Sequence, residues 1–93
     1  MAQQVQFSYH AADRLNQRFG CKIRTDIMVD ISSTFRAVGQ PYIHKDHGAR
    51  CQAYIPRDTT QRLVMLVDVD AGMVLTVMSH GPVVDSVYRQ ATH

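Results

Sequence analysis

The sequence predicts an α+β domain in which two N-terminal helices pack on an antiparallel sheet of three to four strands. Apolar residues recur every three or four positions as far as residue 38, which is the period of an α-helix. Beyond Pro41 the pattern changes to alternating or continuous apolar runs, which are typical of strands. The connections between these runs are short, and short turns join neighbouring strands in antiparallel order.

Length and composition indicate one domain over residues 1–93, because 93 residues, 45% of them hydrophobic, build one core rather than two. Eight of the ten basic residues are arginine, and all eight acidic residues are aspartate. Arginine pairs with phosphate or carboxylate through a planar fork, so this bias favours anion contacts, although a genome-wide bias explains it equally well. The net charge of +2 does not by itself indicate nucleic acid as a partner.

The first helix is predicted over residues 9–19. Ser8 precedes it as an N-cap, and Gly20 follows it as the residue that ends a helix in the left-handed conformation. A second helix is predicted over residues 26–37, where Asp26 suits the positive end of the helix dipole and Pro41 stops the run. Apolar residues four apart define its buried face: Ile27, Ile31 and Phe35.

Strands are predicted within residues 42–78, at 42–44, 51–55, 63–67 and 73–78. After His80 the apolar residues suit either a further short strand or docking elsewhere, and both alternatives stay open. The predicted core combines the apolar faces of these helices and strands: Leu15, Phe19, Ile27, Ile31, Phe35, Leu63, Met65, Val67, Leu75 and Val77.

The first helix also carries a polar stripe, because His10, Arg14 and Arg18 are four residues apart and share one face. An imidazole that titrates near neutral pH is suited to take the proton of a ribose hydroxyl, and two guanidiniums are suited to stabilise phosphorane charge. The alternative is structural: His10 caps the helix start or hydrogen-bonds the sheet, and the arginines are solvated or paired with Asp13 and Asp30.

The motif S-x-H-A-x-x-R-x-x-x-R over residues 8–18 resembles a family of small bacterial and phage domains of mostly unknown function. That family looks related to RelE/ParE-type toxins and to the barnase–EndoU–colicin–RelE superfamily. The resemblance implies a RelE-like fold with a curved sheet and, in its nuclease branches, a metal-independent RNA-cleaving site. The matching catalytic positions are His10, Arg14, Arg18 and, more loosely, Thr76. RelE-like ribonucleases draw basic residues from their strands, and here strands 63–67 and 73–78 have almost none.

A second polar group surrounds the predicted turn at residues 44–50. Its basic side chains and His80, at the end of the last strand, are candidate anion- or RNA-binding residues: His44, Lys45, Arg50 and His80. The simpler interpretation is a polar hairpin turn. His44, His47 and Cys51 do not match a zinc-binding spacing, so no metal is expected. No cofactor is expected either, because the chain has no glycine-rich phosphate loop and no dinucleotide fingerprint.

These observations favour a toxin-like protein that cleaves or binds RNA through the His-Arg-Arg face. The alternative is a non-catalytic, phage-encoded protein that binds and inhibits a host protein. The expected partner is therefore RNA or a host or antitoxin protein, and a homodimer whose tail completes the partner's sheet is a third alternative. Two isolated cysteines and the absence of a long apolar segment indicate a cytoplasmic protein with no membrane span.

Overall fold

In a computed structural model, which describes residues 3–20, 22–46, 48–58 and 60–92, one six-stranded sheet lies between two helices. For Phe19, only the backbone is described. The elements in chain order are β1 (Gln4–Phe7), α1 (Tyr9–Phe19), β2 (Met28–Asp30), β3 (Phe35–Ile43), β4 (Arg50–Pro56), β5 (Val64–Asp68), β6 (Met73–Met78) and α2 (Pro82–Ala91).

The strands lie in the order β2-β1-β6-β5-β4-β3. Strands β3 to β6 form an antiparallel meander joined by short connections. At the other side of the sheet β1 pairs with β6 in parallel, with Gln6 opposite Met73 and Phe7 opposite Val74. Strand β2 then pairs with β1 in antiparallel order. The sheet is therefore mixed, and its two edges are β2 and β3.

Each helix covers one face of the sheet. Successive residues of a strand point to opposite faces, and β5 shows this clearly. Met65 and Val67 belong to the core under α1, whereas Val64 and Leu66 belong to the core under α2. The continuous apolar run of β5 is thus explained by burial on both faces.

The predicted fold class is wrong, because the chain does not have two N-terminal helices on a sheet of three or four strands. It has six strands, one parallel pair, and its second helix at the C-terminal end. The RelE-like arrangement that the motif implied is overturned with it. The helix predicted over residues 9–19 and the strand predicted over residues 73–78 are confirmed.

The helix predicted over residues 26–37 is absent: this segment forms β2, a turn at residues 32–34 and the start of β3. The β-branched residues here favour an extended chain that pairs with β1. At the turn the Asp30 carboxylate accepts hydrogen bonds from the Ser32 backbone at 3.0 Å and from the Ser32 hydroxyl at 2.7 Å. Such side-chain to backbone bonds compete with helix formation.

Most of the predicted core is confirmed. The buried members of the predicted set all lie in the core under α1: Leu15, Ile31, Leu63, Met65, Val67 and Val77. Phe35 and Leu75 are only half-buried. Ile27 is 43% exposed, so its assignment to the core is wrong. The predicted packing of the Phe19 side chain lies outside the described part of the chain.

The open question of the tail is answered by α2. Pro82 occupies its first turn, where a missing backbone N–H has no consequence, and Val84 and Val87 are buried against the sheet. Neither α1 nor α2 is long and apolar enough to cross a membrane.

Replacing Ser8 by alanine tests how α1 is attached. The Ser8 hydroxyl accepts a hydrogen bond from the Ala11 backbone at 3.1 Å and donates one to the Leu75 carbonyl at 3.2 Å. We expect Ser8→Ala to lower the free energy of unfolding by about 1–2 kcal/mol, the upper range for an N-cap. Denaturant titration measures this, with Ser33→Ala, an exposed serine of the 32–34 turn, as the control. If Ser8→Ala and Ser33→Ala had the same free energy of unfolding, the Ser8 hydroxyl would not be what attaches α1 to β6.

A second prediction concerns acid stability through Asp30. Hydrogen bonds from the Ser32 backbone, the Ser32 hydroxyl and the Gln3 backbone lower the pKa of Asp30 below its ordinary value of 3.8. Because the folded pKa is the lower one, the stabilisation is present above about pH 4 and is lost as pH falls through the folded pKa. The melting temperatures of wild type and Asp30→Asn should therefore differ at neutral pH and converge as the pH falls below the folded pKa of Asp30. Asp46→Asn is the control, and a difference that is constant with pH would refute this role of Asp30.

Candidate functional site

Helix α1 has one buried side and one polar side, as its sequence predicts. Ala11 and Leu15 face the core, with Leu15 5% exposed. On the polar side His10 and Arg18 are exposed and Arg14 is half-buried, so the predicted stripe is present on the surface.

The last turn of α1 meets the residues that follow β6. The Arg18 guanidinium donates a hydrogen bond through Nη1 to the Ser79 hydroxyl. Ser79 Oγ in turn lies 3.2 Å from Nδ1 of His80. Arg18, Ser79 and His80 therefore form one group, which we call the Arg18 cluster. Its Arg18 and His80 side chains are exposed, so the cluster is open to a ligand.

This contact arises because α1 runs beside β6 in the same direction. Its start is held at Leu75 through Ser8, and its last turn reaches Ser79. Sequence reasoning assigned Arg18 and His80 to two separate groups and gave Ser79 no role. No local pattern joins residues 61 positions apart, so only the pairing of β1 with β6 reveals the cluster.

The Arg18 guanidinium differs from three other arginines in having no acidic partner among the described residues. Three arginine–aspartate ion pairs occur among the described residues, with N–O distances of 2.6 to 3.0 Å: Arg24–Asp26, Arg50–Asp70 and Arg62–Asp85. Neither Arg14 nor Arg18 pairs with an acid in the described part of the chain. Asp13 instead accepts a hydrogen bond from Gln17 at 3.4 Å. Among the described residues, therefore, no acidic side chain forms an ion pair with the arginines of this face.

Thr76, the fourth predicted catalytic residue, lies on the other face of the sheet. It is paired with Leu66, and directly paired residues of neighbouring strands project to the same face. Leu66 belongs to the core under α2. The sheet consequently separates Thr76 from His10, and the structure does not gather the four predicted catalytic residues into one site.

The group predicted around residues 44–50 lies at the other end of β6 from His80. The β3–β4 connection adjoins the β5–β6 turn, where Arg50 forms its ion pair with Asp70. That hydrogen bond raises the pKa of Arg50 and occupies its guanidinium. His44 Nδ1 accepts a hydrogen bond from the Asp46 backbone at 3.2 Å, which is typical of a turn. His44, Lys45 and Arg50 are thus not brought to the Arg18 cluster.

No group of three or more metal-ligating side chains occurs within the described residues, and His47 lies outside them. Cys51 is buried on β4 and forms no disulfide. Burial, and secondarily the charge of Asp68, raises the pKa of the Cys51 thiol. A thiol with a raised pKa stays protonated at neutral pH and is a poor nucleophile and metal ligand.

One cavity of the described chain lies on the inner side of α1, away from the stripe. It measures about 320 Å³ and is mostly apolar, with Leu15, Val29, Phe35 and Leu63 in its wall. The residues lining the three main cavities include neither His10, Arg14 nor Arg18. The polar face of α1 is therefore an open surface, which suits an extended anion better than an enclosed substrate.

Comparisons of this chain with protein-family models, with curated proteins and with solved structures find no match.

Proposed function

We propose that this protein binds single-stranded RNA along its phosphate backbone, on the face that α1 forms with the residues after β6. The observation that carries the proposal is the exposed Arg18 cluster, whose guanidinium has no acidic partner among the described residues. Arg14 and His10 extend the same face along the helix.

The chemistry of these side chains matches phosphate. Guanidinium groups bind phosphate oxygens in two-point geometry, and serine hydroxyls and imidazoles add further donors. From His10 to Arg18 the helix rises by about 12 Å, several times the rise of about 3.4 Å per nucleotide in one strand of a duplex. The face is thus long enough to contact more than one phosphate.

An exposed aromatic side chain favours a single strand. Tyr9 is 83% exposed at the start of α1, about 100° around the helix from His10, so it borders the His10 end of the stripe and not its Arg18 end. Proteins that bind single-stranded nucleic acid combine a cationic track with aromatic rings on which unpaired bases stack. The motif of residues 8–18 resembles a family of mostly unknown function that looks related to RelE/ParE-type toxins, and the RNA cleavage of the nuclease branches supports RNA as the nucleic acid.

Binding is favoured over cleavage by the geometry around His10. Catalysis requires that a base and its partners converge on one reacting group, usually in a cleft. Here Thr76 is on the other face, and His10 lies on an open surface. Cleavage of RNA and capture of a host protein are therefore the rival outcomes of the experiments below.

Removing either arginine should weaken RNA binding. We expect Arg18→Ala and Arg14→Ala to reduce the affinity for a single-stranded RNA oligonucleotide by about five- to ten-fold. Each should also reduce the salt dependence by about 0.7 in the log–log slope, as expected when one phosphate contact is lost from a single strand. Fluorescence anisotropy at several salt concentrations measures both quantities. The control is Arg89→Ala, at the exposed end of α2. If all three variants bind alike, the α1 face is not the RNA surface.

Replacing His10 distinguishes binding from cleavage. We expect His10→Ala to bind RNA within about two-fold of wild type, and gel analysis to show no cleavage products with either protein. A ribonuclease would instead cleave in the presence of EDTA and lose about 10²–10⁴-fold in rate on His10→Ala, as for a general acid–base residue. A host-protein inhibitor would bind no RNA, and Arg18→Glu would abolish capture of its partner. Either result would replace the present proposal.

A further inference from the structure

A second cationic site lies on the face covered by α2, and it is concave. A cavity of about 250 Å³ opens between β3, the chain that follows β4 and the last turn of α2. Its wall includes two arginines, an amide and three less polar side chains: Arg36, Arg57, Gln61, Ile55, Tyr88 and Ala91. No acidic side chain lines it among the described residues. The RNA-binding proposal does not use this cavity.

The strand register brings the two arginines together. Arg36 is paired with Ile55, which belongs to the core under α2, so Arg36 projects to that face. Arg57 follows two residues after Ile55, and its backbone donates to the Thr34 carbonyl at 2.8 Å, which continues the pairing of β3 with β4. The two arginines are therefore diagonal neighbours on one face, about 7–8 Å apart, within reach of a shared ligand.

The Arg57 guanidinium is fixed by one hydrogen bond and keeps further N–H donors for a ligand. Its Nε donates to the Ser32 carbonyl at 2.9 Å, which leaves both terminal amino groups without a partner in the described chain. Arg36 makes no side-chain hydrogen bond or ion pair with a described residue. The aspartates that pair with arginine elsewhere, such as Asp85 with Arg62, are not part of the lining. Two cations thus converge on a cavity without a counterion from the described protein.

The less polar wall of the cavity is rigid. The Tyr88 hydroxyl donates to the Leu63 carbonyl and accepts from the Leu63 backbone N–H, both at 2.9 Å. The Arg62 guanidinium covers the Tyr88 ring at 4.7 Å from its centroid. Ile55, at 3% exposure, forms the floor. A ligand with an apolar body therefore meets a preformed surface beside the two guanidiniums.

We propose that this cavity binds a small organic acid, with a carboxylate or phosphate group on Arg36 and Arg57 and an apolar body against Ile55 and Tyr88. Its volume of about 250 Å³ is just below the usual range of ligand pockets, about 300–1,000 Å³, so it accommodates a ligand of about one ring. Carboxylates and phosphate monoesters share the oxygen geometry that two guanidinium forks recognise.

Titration of the full chain with single-ring probes tests the proposal by two-dimensional NMR. Phenyl phosphate, benzoate or both should bind saturably, with the largest shifts around Arg36, Gln61 and Ala91, whereas benzyl alcohol and benzylamine should not bind. A response to phenyl phosphate alone assigns the site to phosphate monoesters, and a response to benzoate alone assigns it to carboxylates. Equal affinity for inorganic phosphate and phenyl phosphate would overturn the role of the apolar wall.

Variants separate this site from the RNA surface. Arg36→Ala and Arg57→Ala should each weaken binding of the acid by at least about five-fold, since each removes a charge-assisted hydrogen bond. Arg57→Ala also removes the bond to Ser32, so Arg36→Ala is the decisive variant. Arg14→Ala, on the α1 face, is the control and should leave acid binding unchanged. Retained binding in Arg36→Ala, or the absence of saturable binding up to millimolar concentrations, would overturn the proposal.

Discussion

The parallel pairing of β1 with β6 is the contact on which the α1 side of the structure depends. It joins residues 67 positions apart in sequence, with Gln6 opposite Met73, and Gln6 donates to the Gly72 carbonyl at 2.8 Å. Ser8 completes the junction, because its backbone donates to the Val74 carbonyl at 3.1 Å. Closing so long a loop costs entropy, and the buried face of α1 offsets that cost only after the junction has formed.

The shortness of this junction determines the position of α1. Strand β1 pairs with only two residues of β6, Met73 and Val74, and the chain turns into α1 immediately afterwards at Ser8. The helix then runs along the rest of β6 until Arg18 meets Ser79. A longer β1 would occupy this edge of β6 and keep the arginine away from the strand end. Attachment of the helix and assembly of the Arg18 cluster thus have one cause.

Local signals predicted what local interactions determine. Ser8 and Gly20 delimit α1 through capping, and the spacing of His10, Arg14 and Arg18 follows from the helix alone. The helix prediction for residues 26–37 was wrong because the four-residue apolar spacing is also compatible with a strand. The partner of that strand, β1, is far away in sequence. The apolar residues after His80 suit both a short strand and docking elsewhere, so they do not identify α2, although Pro82 favours the first turn of a helix.

The position of Thr76 shows that strict alternation along a strand does not always predict the face of the sheet to which a side chain projects. Strict alternation places Thr76 on the same face as Val74, two residues earlier. The pairing of β5 with β6 shifts at this point, however: Leu66 lies opposite Thr76, and the next residue, Val67, lies opposite Val74. The shift leaves Leu75 as an extra residue in β6, so Val74 faces α1 and Thr76 faces α2. A bulge of one residue therefore removes Thr76 from the predicted site.

The same dependence on register explains how a chain with a net charge of only +2 has two cationic surfaces. Arg50 was predicted to bind anions, yet the antiparallel pairing of β4 with β5 brings it to Asp70 at the next turn, where its charge is neutralised. Arg36 belongs to no motif of the sequence, but the pairing of β3 with β4 sets it diagonally beside Arg57 on a concave surface. Arginine content alone cannot distinguish these two cases. Strand pairing determines which guanidiniums meet an aspartate and which remain for a ligand.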